Sequence, residues 1–395
     1  MTKPKKGEIE RTEERSEGRK RAEVTVMGIG RRMFVWLYEV ALPPIVAVLM
    51  GFVVAGISVS LMGVEPVVAM RYFVRGVSAS AYGMCEIVVK ALPLLFTGLS
   101  VAFAQRCGLL NIGAEGQLFI GGLTGTIVGA YIRGLPWPIH ALLALAAGFV
   151  GGGLWGVGPG YFKVRFGTNE VISTIMFDYL AVFIVSYAVT GPLKEPPGFI
   201  PQSPEIAPGA ILGNILPGTR LHAGAVVGLL AVLAFWLIIW RTRFGYQIRA
   251  VGANPRAAHY AGIDVGRSIV ATMFIAGGFA GLAGCVEILG VLHRLREAFS
   301  PGWGWDGIAV ALLGKATPLG VTLSALLMGF IRGGVNAMQR ATGVPIGLVY
   351  VVQAVIIICV VAREYRLPKS LRSLRFPFFE KSPRLKESRD AAGGE

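Results

Sequence analysis

The chain has 395 residues, of which 54% are hydrophobic and only 15% are charged, and its mean hydropathy is +0.62. This composition excludes a soluble globular domain, in which about a quarter of the residues are charged. The formal net charge of +15 at pH 7 does not require a nucleic-acid partner, because much of it lies in the terminal segments and one loop, where basic residues orient a membrane protein and contact anionic lipid.

The two terminal segments, 1–39 and 363–395, are rich in Lys and Arg. By the positive-inside rule, both are expected in the cytoplasm. A cleavable signal peptide is not expected, because the first apolar stretch follows only after the long polar segment. Two termini on one side of a membrane require an even number of crossings.

Residues 40–362 are predicted to form one transmembrane domain. Its apolar stretches each approach the ~20 residues that a helix needs to cross the hydrocarbon core. They lie at 41–64, 84–104, 117–133, 139–159, 170–190, 221–240, 269–292, 317–333 and 344–362. A shorter stretch, Gly307–Gly314, is expected to form half of a broken helix. The predicted fold is an all-α, polytopic membrane helical bundle of about ten segments, with eight as the alternative, including broken or re-entrant helices.

A polar, glycine-broken segment at 108–122 interrupts the apolar pattern. It places Asn111, Glu115 and Gln117 where hydrocarbon is expected. Irregular polar backbone survives at membrane depth only where protein or a water-filled cavity supplies its hydrogen bonds, so the segment is predicted to line a path for a solute. For Glu115 the alternative is a capping acid at the start of the following half-helix.

Other polar residues at helix ends admit two interpretations. Asn169 and Glu170 either line the same path or cap the apolar helix that follows them. Glu86 and Lys90 lie four residues apart, which favours an ion pair within one helix.

The short stretch at 307–314 is flanked by Asp306 and Lys315, which are expected to anchor its ends at the interface. The neighbouring Trp303 and Trp305 are expected in an interfacial aromatic belt.

Two long loops differ in charge. The segment 191–220 is rich in proline and nearly neutral, and is predicted to be external. The segment 241–268 carries several arginines against a single acid, Asp264, and is predicted to be cytoplasmic.

The second half of this basic loop contains the start and stop signals of a short helix. Asn254 is a good N-cap, Pro255 fits the first helical position, the helix is predicted over 256–261, and Gly262 can end it. A mere connector between spans has no need of these signals. The pattern therefore favours a compact cytoplasmic helix that docks on a partner.

Here the chain resembles a known family. Ala257 and Ala258, followed by three residues and Gly262, resemble the coupling-loop motif with which ABC importer permeases dock on their ATPase. Arg256 stands where the better-known permeases have Glu, which is typical of the branch that imports branched-chain amino acids, simple sugars and nucleosides. The segments 111–117, 167–176, 251–258 and 305–314 together are similar to the nucleoside-type permeases of this branch, and the resemblance covers residues 84–362.

The resemblance implies a permease subunit of an ATP-driven importer, with nucleosides as the solute and simple sugars as the alternative. It implies an ABC ATPase, an extracytoplasmic lipoprotein receptor of the basic membrane protein family, and a second permease that is either related or identical. The location implied is the prokaryotic plasma membrane. In the run after residue 169 this chain carries Asp178 where the family has Asn. An ATPase-independent transporter or channel is the alternative of another class, and it would not need the short capped helix.

Site residues follow from these interpretations. The solute path is assigned to Asn111, Glu115, Gln117, Asn169 and Glu170, and ATPase coupling to Asn254, Pro255, Arg256, Ala257, Ala258 and Gly262. No catalytic residue, metal site or cofactor is expected in this chain, with ATP used by the partner subunit. The run 314–317 lacks the residues of a phosphate loop, and the His and Cys residues lack metal-ligand spacing.

Overall fold

The computed structural model describes residues 42–345 and 347–364 of the chain. The predictions for segments 1–39 and 365–395 lie outside these residues. The described part is helical and contains no β-strand, only the isolated bridges between Gln202 and Arg296 and between Asn214 and His222. The predicted all-α bundle is confirmed.

The helices are numbered in chain order. They are α1 (Leu42–Leu61), α2 (Pro66–Ser78), α3 (Ala81–Arg106), α4 (Ala114–Tyr131), α5 (Ile139–Phe166), α6 (Glu170–Thr190), α7 (Gly224–Arg241), α8 (Arg243–Ala253), α9 (Pro255–Tyr260), α10 (Val265–Glu287), α11 (Trp303–Leu313), α12 (Pro318–Thr342) and α13 (Leu348–Glu364). A π-helix, Ile288–Leu292, continues α10, and a 3₁₀ turn, Pro208–Ala210, lies in the loop before α7.

The apolar stretches of the sequence correspond to helices. Six helices of the described chain are long and apolar enough to cross a membrane: α3, α5, α6, α7, α10 with its π-helix, and α12. The protein is a multi-pass membrane bundle, and the count of about ten segments stays a prediction. The largest extensions beyond the predicted ends are those of α5, which continues to Phe166, and of α12, which continues to Thr342.

Helix α2 was not predicted. It is amphipathic and buries Ala69, Phe73 and Val77, and the Phe73 ring lies against Gly334 of α12. Its two arginines, Arg71 and Arg75, make its sequence too polar to resemble a membrane span.

Helices α3, α4, α5 and α10 form the centre of the bundle. The main chains of α4, α5 and α10 approach closely at glycines. A Cβ added at Gly281 would lie 2.2 Å from the carbonyl oxygen of Gly148, and one at Gly284 would lie 2.1 Å from that of Leu118. Small residues permit such contacts between membrane helices, where the hydrophobic effect supplies no driving force between them.

Two interruptions position the candidate site. Residues 107–113 are non-helical between α3 and α4, and residues 293–302 lead from the π-helix to α11. The first turns of α4 and α11 meet inside the bundle, where a Cβ at Gly304 would lie 2.2 Å from the nitrogen of Glu115. The expected half-helix around 307–314 is therefore present as α11.

Candidate functional site

Glu115 lies in the first turn of α4 and is only 5% exposed. Its Oε2 accepts a hydrogen bond of 2.5 Å from the backbone N–H of Gly304 in the first turn of α11. The carboxylate therefore caps the neighbouring broken helix, whereas the sequence suggested a cap on its own helix. An acid at this position complements the positive ends of both helix dipoles.

Asp178 of α6 supplies the corresponding contact to α4. Its Oδ1 accepts a hydrogen bond of 2.7 Å from the backbone N–H of Gly116. Its Oδ2 is buried and has no hydrogen-bond partner within the described part of the chain. An asparagine at this position would also provide the acceptor that Gly116 needs. The two acids thus link α6 to α4 and α4 to α11.

Asn111 and Gln117 form a reciprocal amide pair. Nδ2 of Asn111 donates to Oε1 of Gln117 at 2.8 Å, and Nε2 of Gln117 donates back to Oδ1 of Asn111 at 3.1 Å. Asn111 Nδ2 also lies 3.0 Å from Oγ of Ser100 on α3. Both amides are almost fully buried, so in this conformation they satisfy each other and hold the break between α3 and α4.

Asn169 and Glu170 lie apart from this cluster. Asn169 is exposed and caps α6, accepting a hydrogen bond of 2.9 Å from the N–H of Val171. Glu170 forms an ion pair of 2.5 Å with Lys163 at the end of α5. The capping interpretation of Asn169 is confirmed, and a role of either residue in the path stays a prediction.

The capped helix of the basic loop is confirmed as α9. Oδ1 of Asn254 accepts hydrogen bonds from the N–H groups of Arg256 and Ala257 at 3.0 and 3.1 Å. Gly262 follows the helix with a positive φ of 80°. Ala258 is the buried residue of α9.

Four residues of α9 are exposed to solvent, namely Arg256, Ala257, His259 and Tyr260. Tyr260 is 90% exposed, so α9 presents an aromatic side chain on its outward face.

Helix α8, in the first half of the basic loop, lies against the polar break. A Cβ added at Gly252 would lie 2.3 Å from the carbonyl oxygen of Arg106, the last residue of α3. The Arg106 guanidinium stacks 5.2 Å from the ring centroid of Trp240 and donates to the carbonyl oxygen of Ala316. The base of α3, the loop after α11 and α8 therefore meet at one end of the bundle.

At the opposite end of the bundle, Arg294 links the segment before α11 to the loop 191–220. It forms ion pairs with Glu195 and, at 3.1 Å, with Glu205. The hydrogen bond from Arg294 lowers the pKa of Glu195 below its ordinary value. Ser203 reinforces this contact, because its Oγ accepts a hydrogen bond of 2.9 Å from the N–H of Leu295.

Several expectations about charged residues are wrong. Glu86 pairs with Arg220 at 3.6 Å, and no ion pair joins it to Lys90 in the described structure. Asp306 is not an interfacial anchor, because it forms an ion pair with Arg332 of α12 inside the bundle. Lys315 is exposed at the other end of α11, as expected of an anchor.

The two tryptophans differ in exposure. Trp303 is 7% exposed, and its carbonyl oxygen accepts a hydrogen bond of 3.0 Å from Thr97. Trp305 is 41% exposed. Burial of Trp303 contradicts its expected place in an interfacial belt.

Sequence reasoning also missed Arg332 and Glu287, both buried in the bundle. The signal was available, since each is an isolated ionisable residue within an apolar stretch, and such residues are candidates for function by default. No group of three or more metal-binding side chains occurs among residues 42–345 and 347–364.

A family model described as the permease component of the branched-chain amino acid transport system matches residues 83–361. The chain is 39% identical to the guanosine ABC transporter permease protein NupP of Bacillus subtilis, over 81% of this chain and 92% of that protein. It is 34% identical to the glucose ABC transporter permease protein TsgB13 of Haloferax volcanii, over 82% and 87%. It is 30% identical to the nucleoside ABC transporter permease protein NupB of Lactococcus lactis, over 83% and 93%.

No solved structure matches the chain significantly. The family match covers the central bundle, both interruptions and the capped helix α9. The chain therefore belongs to the permease-component family of branched-chain amino acid transport systems and is a membrane-spanning permease of an ABC importer.

Proposed function

We propose that this permease imports nucleosides across a prokaryotic plasma membrane, in a complex whose separate ATPase subunit hydrolyses ATP. The observation that carries the proposal is the 39% identity to a guanosine permease over most of both chains. The termini face the cytoplasm in this proposal, in agreement with their basic residues. A lipoprotein receptor delivers the solute to the end of the bundle that carries the loop 191–220.

A second, related permease completes the membrane part. Bacillus subtilis has another guanosine ABC transporter permease protein, NupQ, which is 29% identical to this chain over 258 residues. Its lower similarity supports a pair of different permeases, in which this chain takes the role of NupP.

The coupling contact is assigned to α9. Its exposed residues Arg256, Ala257 and Tyr260 are available to an ATPase, and Asn254 and Pro255 determine where the helix begins. Gly262 ends the turn, and the buried Ala258 packs the helix onto the bundle.

The path is assigned to the region of the broken helices, with Asn111, Glu115 and Gln117 at the start of α4. A nucleoside is neutral and carries hydroxyl groups, so amides and one carboxylate can bind it without a charge match. Asn169 and Glu170, at the start of α6, are assigned to the cytoplasmic end of the path. The alternative solute is a simple sugar, which the 34% identity to a glucose permease supports.

Reconstitution in vesicles tests the proposal. The full complex is expected to accumulate guanosine only when ATP and the receptor are both present. Uptake of guanosine by this chain without an ATPase would contradict the coupling scheme. Accumulation of glucose but not of guanosine would show that the solute is a sugar, and the proposed coupling to an ATPase and a receptor would be unaffected.

The role of α9 is tested by exchanging exposed tyrosines. Tyr260→Ala is expected to prevent co-purification of the ATPase and to abolish uptake, because it removes the most exposed aromatic side chain of α9. Tyr179→Ala is the matched control, since Tyr179 is 59% exposed in the middle of α6, away from the loop 241–268. Normal ATPase binding by Tyr260→Ala would overturn the assignment.

A further inference from the structure

A group of charged and polar side chains gathers in the half of the bundle that carries the loop 191–220. Its members are Glu86 and Lys90 of α3, Glu287 of α10, Asp306 of α11, Arg332 of α12 and Gln353 of α13. We call this group the polar cluster. Arg220 of the loop lies at its edge, paired with Glu86.

Lys90 and Arg332 lie well inside their helices, and Glu287 lies where α10 continues as the π-helix. Lys90 is about 13 Å along α3 from the first residue of that helix, at 1.5 Å per residue. Three cations, Lys90, Arg220 and Arg332, lie within electrostatic range of Glu287, as does the acid Glu86. Ionisable groups at this depth are costly, which makes them candidates for function.

The cluster retains hydrogen-bonding capacity that the described residues do not use. Nε of Arg332 and Oε1 of Gln353 are buried without a hydrogen-bond partner within the described part of the chain, and Oε1 of Glu86 has only its ion pair of 3.6 Å with Arg220. The side chains of Glu287 and Lys90 likewise form no hydrogen bond or close ion pair with described residues. Glu287 is nevertheless only 6% exposed, and Gln353 only 4%.

The amide pair of Asn111 and Gln117 contrasts with this cluster. Those two side chains bond to each other and to Ser100, and Glu115 bonds to Gly304. A single buried oxygen without a partner, such as Oδ2 of Asp178, occurs elsewhere in the described chain. In the cluster several donors and acceptors unused by described residues occur together with the unpaired Glu287 and Lys90, and this concentration indicates a ligand that supplies partners.

The charges of the cluster indicate the class of ligand. With Arg220 included, the carboxylates of Glu86, Glu287 and Asp306 are balanced by the cations of Lys90, Arg220 and Arg332. A neutral solute preserves this balance, and hydroxyl groups can both donate to the acids and accept from the cations.

The backbone next to Glu287 also departs from regular structure. The π-helix Ile288–Leu292 begins directly after it. Single π-helical turns within α-helices occur frequently at functional sites. Here the turn connects Glu287 to the segment that leads down to α11.

We propose that the polar cluster is the site at which a neutral, polyhydroxylated solute binds inside the permease after the receptor has released it. Lys90 and Glu287 contact the solute, and the ion pair of Asp306 and Arg332 forms the floor beneath it. The inference rests on the proposed function, because it assumes that this chain passes such a solute.

The test compares solute moved per ATP hydrolysed in vesicles containing the full complex, with guanosine and glucose as probes. Glu287→Gln replaces a charged acceptor with a neutral one, and Lys90→Met removes a charged donor. Each is expected to lower this ratio about tenfold, the effect of losing one charge-assisted interaction with the solute. ATP hydrolysis stimulated by the loaded receptor should persist, since neither side chain holds another described residue.

Asp178→Asn is the matched control. It also converts a buried carboxylate to an amide, but it keeps the acceptor for Gly116 and lies outside the cluster. Its ratio of solute to ATP should stay within about twofold of the wild type.

Two outcomes would overturn the inference. One is a normal ratio in both cluster variants. The other is a parallel loss of uptake, stimulated ATP hydrolysis and complex yield, which would make the cluster a structural ion-pair network. Failure of the proposed function is separate, because it would appear in the wild type as absence of guanosine uptake. If the wild type carries glucose instead, the cluster variants are judged with glucose.

Discussion

The Glu115 carboxylate accepts a hydrogen bond of 2.5 Å from the backbone N–H of Gly304, so a side chain of α4 caps α11. The two residues are far apart in the sequence, and each lies in the first turn of a helix that begins inside the bundle. One carboxylate therefore sets the relative position of both broken helices.

Replacing Glu115 tests this contact. Glu115→Ala is expected to lower the free energy of unfolding by about 1–3 kcal/mol, because the buried N–H of Gly304 loses its acceptor. Glu115→Gln keeps an acceptor and should lose clearly less. Thermal unfolding in detergent measures both, and equal melting temperatures for the two variants would argue against the capping role.

The amide pair allows a double-mutant cycle. Asn111→Ala or Gln117→Ala alone already breaks both bonds of the pair, so the double variant should lose less than the sum, by about 1 kcal/mol. Unfolding in detergent gives the three values. As a control, Asn111→Ala combined with Thr190→Val, at the far end of α6, should be additive within about 0.5 kcal/mol. If the losses from Asn111→Ala and Gln117→Ala were additive, the two amides would not be paired.

The glycine contacts between central helices predict unequal effects of one added methyl group. Gly281→Ala places a Cβ 2.2 Å from the carbonyl oxygen of Gly148, so the helices must separate, at a cost of about 1–3 kcal/mol. Gly333→Ala is the control, since its Cβ would meet nothing closer than 3.8 Å. Melting temperatures of the two variants should differ clearly, and a stable Gly281→Ala would refute the close approach.

The ion pair of Glu195 and Arg294 predicts a pH dependence. Because the hydrogen bond from Arg294 lowers the pKa of Glu195 in the folded state, the pair contributes stability above the ordinary pKa. That contribution is lost as the pH falls below the ordinary pKa of a glutamate and through the lowered pKa of Glu195. The melting temperatures of the wild type and of Glu195→Gln should therefore converge on acidification. A difference that stays constant from pH 7 to pH 3 would exclude this linkage.

The cap of α9 can be tested locally by hydrogen exchange. Asn254→Ala is expected to destabilise α9 by about 1 kcal/mol, so its amides should exchange about fivefold faster. Asn254→Ser preserves a capping oxygen and should retain most of the protection. Unaltered exchange in Asn254→Ala would show that the helix does not depend on the cap.

Features determined by neighbours in sequence were predictable. The cap at Asn254 acts on N–H groups two and three residues away, so the motif contains all the necessary information. The apolar spans were visible for the same reason. Helix α2 was missed because only its packing against α12 makes it a buried element.

Partners distant in sequence were not predictable. The spacing of Glu86 and Lys90 fits a pair on one helix, yet Glu86 contacts Arg220, which the fold brings from a loop. Likewise, the position of Asp306 at the start of a short helix suggested an interfacial anchor. The fold places Arg332 of α12 beside it, and the two form an ion pair. A single sequence shows the cost of such charges at membrane depth but not what balances them.

The approach of Gly252 to the carbonyl oxygen of Arg106 places the main chain of α8 directly against the end of α3. No side chain lies between them to absorb a displacement. Movement of the basic loop is therefore transmitted to the non-helical residues 107–113 through one layer of peptide groups. The separation is set by the size of backbone atoms, and exchanges of neighbouring side chains leave it unchanged. Any coupling through this contact is therefore stiff, because it does not require side chains to change rotamer.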